Sequence, residues 1–351
     1  MLKLVLACVL ALNLAAGTLA AEPLTVEEVW KPPQISGVSL SPNGKFFAAT
    51  APIKGRMNLV VIDLDTRKAA AVTSLEEFDV LDPRWVGNER LVFTLGQQNS
   101  PTGPSQFDGG GLFVVNRDGS GGRTLSPTVR ETRGRNQFVY RGLSFFRTIP
   151  GNTDEIIASG NLSDAQSIDL YKLDLRTSRT TLLTQGRPAE RTSAWIMDSK
   201  LVPRVVSAQS KEKPEITVFY RGGADAEWQE VARFDVTKGP AVVPLTFEAD
   251  DLTLQVASNR GRDTMAIHRY DPIKKILGEV IAQHPQFDVG ADASGQRVAG
   301  VISEPNSAKI LGYEVNAARP EACNSTITLW RSNRRCTNGV RAVGFIGRCV
   351  A

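Results

Sequence analysis

Similar apolar runs recur in this chain at intervals of roughly fifty residues. Five of them are Asn58-Leu-Val-Val-Ile-Asp63, Gly111-Leu-Phe-Val-Val-Asn116, Ile168-Asp-Leu-Tyr-Lys-Leu173, Ile216-Thr-Val-Phe-Tyr220 and Met265-Ala-Ile-His-Arg-Tyr270. Three lead through a polar turn into a second short strand, as Asp65-Thr-Arg-Lys68 leads into Ala69-Ala-Ala-Val-Thr73. In Arg117-Asp-Gly-Ser-Gly121 the Asp118-Gly119 pair suits a hairpin turn, because glycine adopts positive φ without steric cost. A strand, turn and strand come before such pairs. In Val38-Ser-Leu-Ser-Pro-Asn-Gly-Lys-Phe-Phe-Ala-Ala49, Pro42 presets φ and Asn43-Gly44 reverses the chain. Looser copies lie at 83–93, 149–158 and 289–299.

Each unit therefore carries about four antiparallel strands. A unit this small cannot bury its own apolar faces, so neighbouring units must cover them. Four strands per forty to fifty residues predicts an all-β fold, a β-propeller of four-stranded blades. A β-sandwich is the other all-β reading, but its strands would not repeat in fours over this length. The units fall at 34–76, 77–130, 137–187, 190–236, 240–284 and from 285 onward. The propeller is expected to be incomplete, with five full blades and a partial sixth.

Residues 1–21 read as a secretory signal peptide. Lys3 is the positive start, 4–16 is an apolar run short for a membrane span, and Thr18 and Ala20 fit a cleavage site. A buried N-terminal helix and a lipoprotein site at Cys8 are the weaker readings. Residues 22–33 form a short leader and 34–321 the partial propeller. The signal predicts export to the periplasm or medium, with no membrane association after cleavage. Cys is absent from 9 to 322, so disulfides do not staple the main fold. The net charge of +4 is concentrated at the end: residues 322–351 hold five Arg and no Asp, Glu or Lys. The rest is close to neutral, which argues against a nucleic-acid groove.

Ser41-Pro-Asn-Gly-Lys-Phe-Phe-Ala48 resembles the turn of secreted propellers, both Tol-system periplasmic propellers and the prolyl oligopeptidase family of serine peptidases. The leader from Thr25 to Pro42 is similar to the opening of bacterial secreted members of the second family. Asp108-Gly-Gly-Gly-Leu-Phe-Val-Val-Asn-Arg-Asp-Gly-Ser120 and Gly312-Tyr-Glu-Val-Asn-Ala-Ala-Arg-Pro-Glu321 resemble it too. The resemblance covers about 22–321 and rests on the order of its motifs. It implies a seven-bladed propeller acting as lid and filter for an α/β-hydrolase domain that carries a Ser-Asp-His triad. It also implies peptide substrates. The chain stops in its sixth unit, so this reading makes it a truncated propeller.

At Ala322 the composition shifts, with Cys323, Cys336 and Cys349 among the arginines. Back-translated and shifted by one base, the start of this segment reads Val-Gln-Phe-Asp, and family members carry Phe-Asp near this point. A frameshift after Glu321 is the expectation, leaving 322–351 a poorly packed tail. The alternative is a divergent terminus with one disulfide and a free thiol. Zinc is disfavoured by the lack of close Cys pairs.

No Gly-x-Ser-x-Gly is present, and His268 and His284 sit in a predicted strand and a predicted loop. No catalytic residue, cofactor or metal ligand is assigned. Glu76 and Glu77 read as a solvated connection rather than a carboxylate pair. Asp63 and Asp65 lack a calcium-loop pattern. Asp108, Gly109, Gly110 and Gly111, after a polar loop at 96–106, form a candidate surface facing substrate or a partner domain. They lack the helix start and Lys of a phosphate cradle. The expected function is the non-catalytic propeller of a peptidase, not hydrolysing peptides alone. Its partners would be peptide substrate or a hydrolase domain. The alternative is a stand-alone Tol-type binding propeller. The sequence assigns no oligomeric state.

Overall fold

The computed structural model describes residues 34–97, 108–135, 137, 139–292, 301–303, 310–315 and 321–324. The signal peptide, the leader, most of the 96–106 loop and the tail beyond 324 lie outside them.

Six antiparallel meander sheets follow one another along the chain. The first holds β1 (Ser36–Leu40), β2 (Phe46–Ile53), β3 (Arg56–Asp63) and β4 (Ala69–Ala71). The second holds β5 (Asp79–Val86), β6 (Arg90–Gly96), β7 (Gly110–Asn116) and β8 (Arg123–Ser126). The third holds β9 (Leu143–Thr148), β10 (Glu155–Gly160), β11 (Asp169–Asp174) and β12 (Thr180–Leu182). The fourth holds β13 (Thr192–Met197), β14 (Pro203–Gln209), β15 (Glu215–Tyr220) and β16 (Gln229–Asp235). The fifth holds β17 (Val242–Phe247), β18 (Leu254–Ser258), β19 (Ala266–Asp271) and β20 (Ile276–Ala282). The sixth has three strands, β21 (Val301–Ser303), β22 (Ile310–Val315) and β23 (Glu321–Asn324). The expected five full blades and partial sixth are present, and β23 runs across the expected boundary at 321. Val289, the start of the looser copy at 289–299, makes an isolated bridge to Val315.

The middle strands are apolar on successive residues because both faces of each sheet are covered. Leu91 packs with the first blade and its neighbour Val92 with the third. Ile156 faces the second blade and Ile157 the fourth. A strand's side chains alternate between faces, so a blade between two others needs consecutive apolar residues. The core is thus a series of clusters, each lying between neighbouring blades. The outermost β4 and β12 are exposed throughout.

Two kinds of turn recur among the blades. Gly44, at φ 72°, closes the first turn of blade one, where its N–H donates to Ser41 O. In blades one, three and five the turn after the third strand is held by a carboxylate. Asp63 accepts from Thr66 N, Asp174 from Arg176 N and Thr177 N, and Asp271 from Ile273 N and Lys274 N. A single helix among the described residues, α1 (Val129–Gly134), joins blades two and three. The sequence reading placed no helix there. Thr128 and Glu131 cap it reciprocally, side chain to backbone. Among the described residues no helix is long and apolar enough to cross a membrane.

Backbone hydrogen bonds hold Asp63, Asp174 and Asp271 below the ordinary carboxylate value. A depressed folded pKa contributes stability above the unfolded value, and that contribution is lost as pH falls through the folded one. The melting temperature is expected to hold steady from neutral pH to about 4 and to fall below it. Asparagine keeps the acceptor oxygen without titrating. The triple variant Asp63→Asn, Asp174→Asn, Asp271→Asn should therefore show a shallower acid slope in circular-dichroism melts across that range.

Candidate functional site

The first strands of all five full blades converge on one cavity of about 910 Å³. Its wall includes Ser39–Pro42, Arg84, Trp85, Phe145–Thr148, Trp195–Ser199 and Leu245–Glu248, with Val301 and Ile310 from the sixth sheet. These stretches lie in the later part of each first strand or just after it. The cavity is therefore the end of the propeller's central channel at which the first turn of each blade projects.

Two tryptophans join this wall to the blade before it. Trp85 Nε1–H donates to Ser39 O, and Trp195 Nε1–H donates to Ile168 O. The first turns also connect from blade to blade. Asn43 N–H donates to Asn88 Oδ1, and both the N–H and the hydroxyl of Ser199 donate to Asp251.

Beneath blades four and five the organising residue is Arg204, 5% exposed. Its guanidinium lies over the rings of Tyr220 and Phe247. It donates to the backbone oxygens of Arg221 and Asp251 and to the Tyr220 hydroxyl, and it lies 3.5 Å from Asp198. Asp198 also accepts from Lys200 N and Val202 N. Glu248 accepts from Arg269 Nε and from Gln255. The carboxylates of this wall are thus engaged from behind.

The opposite wall, on blades two and three, carries Arg84 and Arg147. Neither guanidinium has a hydrogen bond or ion pair among the described residues. Burial pushes the Arg147 guanidinium below its ordinary value. In the same cavity the Ser39 hydroxyl is buried with no hydrogen-bond partner among the described residues.

Asp108, Gly109, Gly110 and Gly111 do not line this cavity. Asp108 pairs with Arg133 at 2.7 Å and with Arg130 at 3.4 Å, and its carbonyl accepts from Arg130 N. A Cβ on Gly109 would meet Leu95 O at 2.6 Å, and one on Gly111, at φ 76°, would meet Ser126 O at 2.9 Å. The segment anchors α1 to β7 at the opposite face, where Glu77 also pairs with Arg130 and Glu76 with Lys54. His268 Nδ1 lies 3.2 Å from Gly278 O, and His284 Nδ1 accepts from Gln286 N and Phe287 N. Among the described residues neither ring is hydrogen-bonded to a serine. Among the described residues no group of three His, Cys, Asp or Glu side chains is placed to hold a metal ion.

Arg204→Met should cost about 3 kcal/mol in urea unfolding, because it leaves buried acceptors and the Asp198 carboxylate short of a partner. Arg233→Met, which removes exposed pairs with Glu230 and Glu215, should leave the urea midpoint close to that of the parent.

No family model matches the chain. Dipeptidyl aminopeptidase BIII of Pseudoxanthomonas mexicana is 23% identical over 290 residues, which cover 82% of this chain and 38% of that protein. Among solved structures, puromycin hydrolase aligns with a TM-score of 0.48 at 13% identity, covering 81% of this chain and 44% of its own. TolB from Acinetobacter baumannii aligns at 0.36 and 12% identity, covering 79% and 59%. The chain spans 38% of the length of the dipeptidyl aminopeptidase it matches, and it is similar to the propeller part of peptidases of the dipeptidyl aminopeptidase and prolyl oligopeptidase kind.

Proposed function

We propose that this chain is the lid-and-filter propeller of an exported serine peptidase of that family. It acts in the periplasm or medium, admits peptides through its channel, and has no hydrolytic activity alone. The sequence likeness to a dipeptidyl aminopeptidase across 82% of the chain carries this reading. The geometry is compatible with it: a channel end of about 910 Å³ with aromatic walls suits an extended peptide, whose backbone and side chains need both apolar surface and polar partners. An activated serine needs a base within hydrogen-bond reach, and among the described residues neither histidine is hydrogen-bonded to one. The Asp108–Gly111 face, at the other end, is the surface we assign to a neighbouring domain. The signal peptide read at 1–21 supplies the exported location.

The test mixes the purified chain with the part of the Pseudoxanthomonas relative that it does not match. Alone, the chain should leave chromogenic dipeptides uncut and take no fluorophosphonate label. With the relative's remainder, it should lower cleavage of casein while sparing short peptides. Labelling at a single serine, lost on its change to Ala, would overturn the inactive reading. Absence of any binding or filtering, with capture of an unrelated periplasmic protein, would favour a Tol-type binding propeller.

A further inference from the structure

We propose that the channel end is a carboxylate-binding site, with Arg84 and Arg147 holding the free C-terminal carboxylate of a peptide. This rests on the peptide reading above and adds to it the group recognised and the wall that recognises it.

The argument starts from the uneven charge of the cavity. Of the acidic side chains on the other wall, Asp198 and Glu248 pair with Arg204 and Arg269, which reach them from the second and third strands, and Asp251 accepts from the N–H and hydroxyl of Ser199. No equivalent acid faces Arg84 or Arg147 among the described residues. Arg147 is partly desolvated, a condition that costs free energy until a counter-charge arrives. A guanidinium presents paired N–H donors that match the two oxygens of a carboxylate. The two arginines come from the first strands of adjacent blades, β5 and β9, and line one cavity. The unpartnered Ser39 hydroxyl on β1 adds a neutral donor to the same wall. Trp85 and Phe146 beside the arginines supply apolar surface for the last side chain of the peptide. A free inorganic anion would not use that surface, so a peptide terminus fits the whole wall better.

The experiment titrates the full chain with Ala-Ala-Phe, with its C-terminal amide, and with succinate, following tryptophan fluorescence and calorimetry at low and high salt. The free acid should bind at least about tenfold more tightly than the amide, and added salt should weaken it. Arg147→Gln and Arg84→Gln should each lower the affinity for the free acid by about tenfold and leave that for the amide unchanged. Arg147→Lys should fall between, since it keeps charge and loses the paired donors. The melting temperatures of these variants should match the parent. Equal binding of acid and amide, or arginine variants that bind as the parent does, would overturn the site while leaving the peptide reading intact. Succinate binding that depends on both arginines, with neither peptide bound, would uphold the carboxylate site and sink the peptide reading. No binding of any probe would overturn the proposal.

Discussion

Each blade depends on its neighbours to cover an apolar face, and the rest of the architecture follows from that. A four-stranded sheet with Ile156 on one face and Ile157 on the other is insoluble as an isolated unit. Stacking covers both faces, and a radial stack brings every first strand to one axis. The channel is therefore a product of how the core is buried. The hydrogen bonds of Trp85 and Trp195 reinforce the same geometry, since each crosses from a first strand to the backbone of the preceding blade. The bond itself is worth only ~1 kcal/mol. Its larger effect is to fix the angle at which the indole enters the wall.

The blades were readable because strand and turn chemistry are local. Consecutive apolar residues between Pro-Asn-Gly and Asp-containing turns leave few alternatives to a short, doubly buried strand. Helix α1 carried a readable signal as well, Thr128 with Glu131 three residues on. Its six residues lie in a connection between units, too short to show an apolar period of their own. In the Asp108–Gly111 segment, Gly109 and Gly111 allow close backbone approach, a packing requirement that a run of glycines does not disclose from sequence.

The cavity was not legible for a different reason. Its residues come from segments about fifty positions apart, and no single stretch looks like a site. Alignment of the units would have exposed it, because Trp85, Phe146, Trp195 and Phe247 occupy similar places late in the first strand or at its end. An aromatic at that position is ordinary core chemistry in one blade. Repeated around an axis, it becomes a lined channel.

Repetition also explains why the charge is the informative part of the wall. Similar positions in successive blades receive similar backbone surroundings, so a difference in side chain between blades registers directly as a difference around the axis. On blades four and five, Asp198 and Glu248 are held by the arginines that β14 and β19 send from behind, and Asp251 by hydrogen bonds from Ser199. These partners weaken the negative field of that wall. On blades two and three, Arg90 is occupied with Thr153 and Asp154 in a bond between blades, which leaves Arg84 and Arg147 as the uncompensated charges on that side. Partial burial of Arg147 reduces its screening by water, so its attraction for an anion extends further than it would on an open surface. A propeller can thus acquire a polar direction across its channel through two side chains, with no change to the strands that carry them.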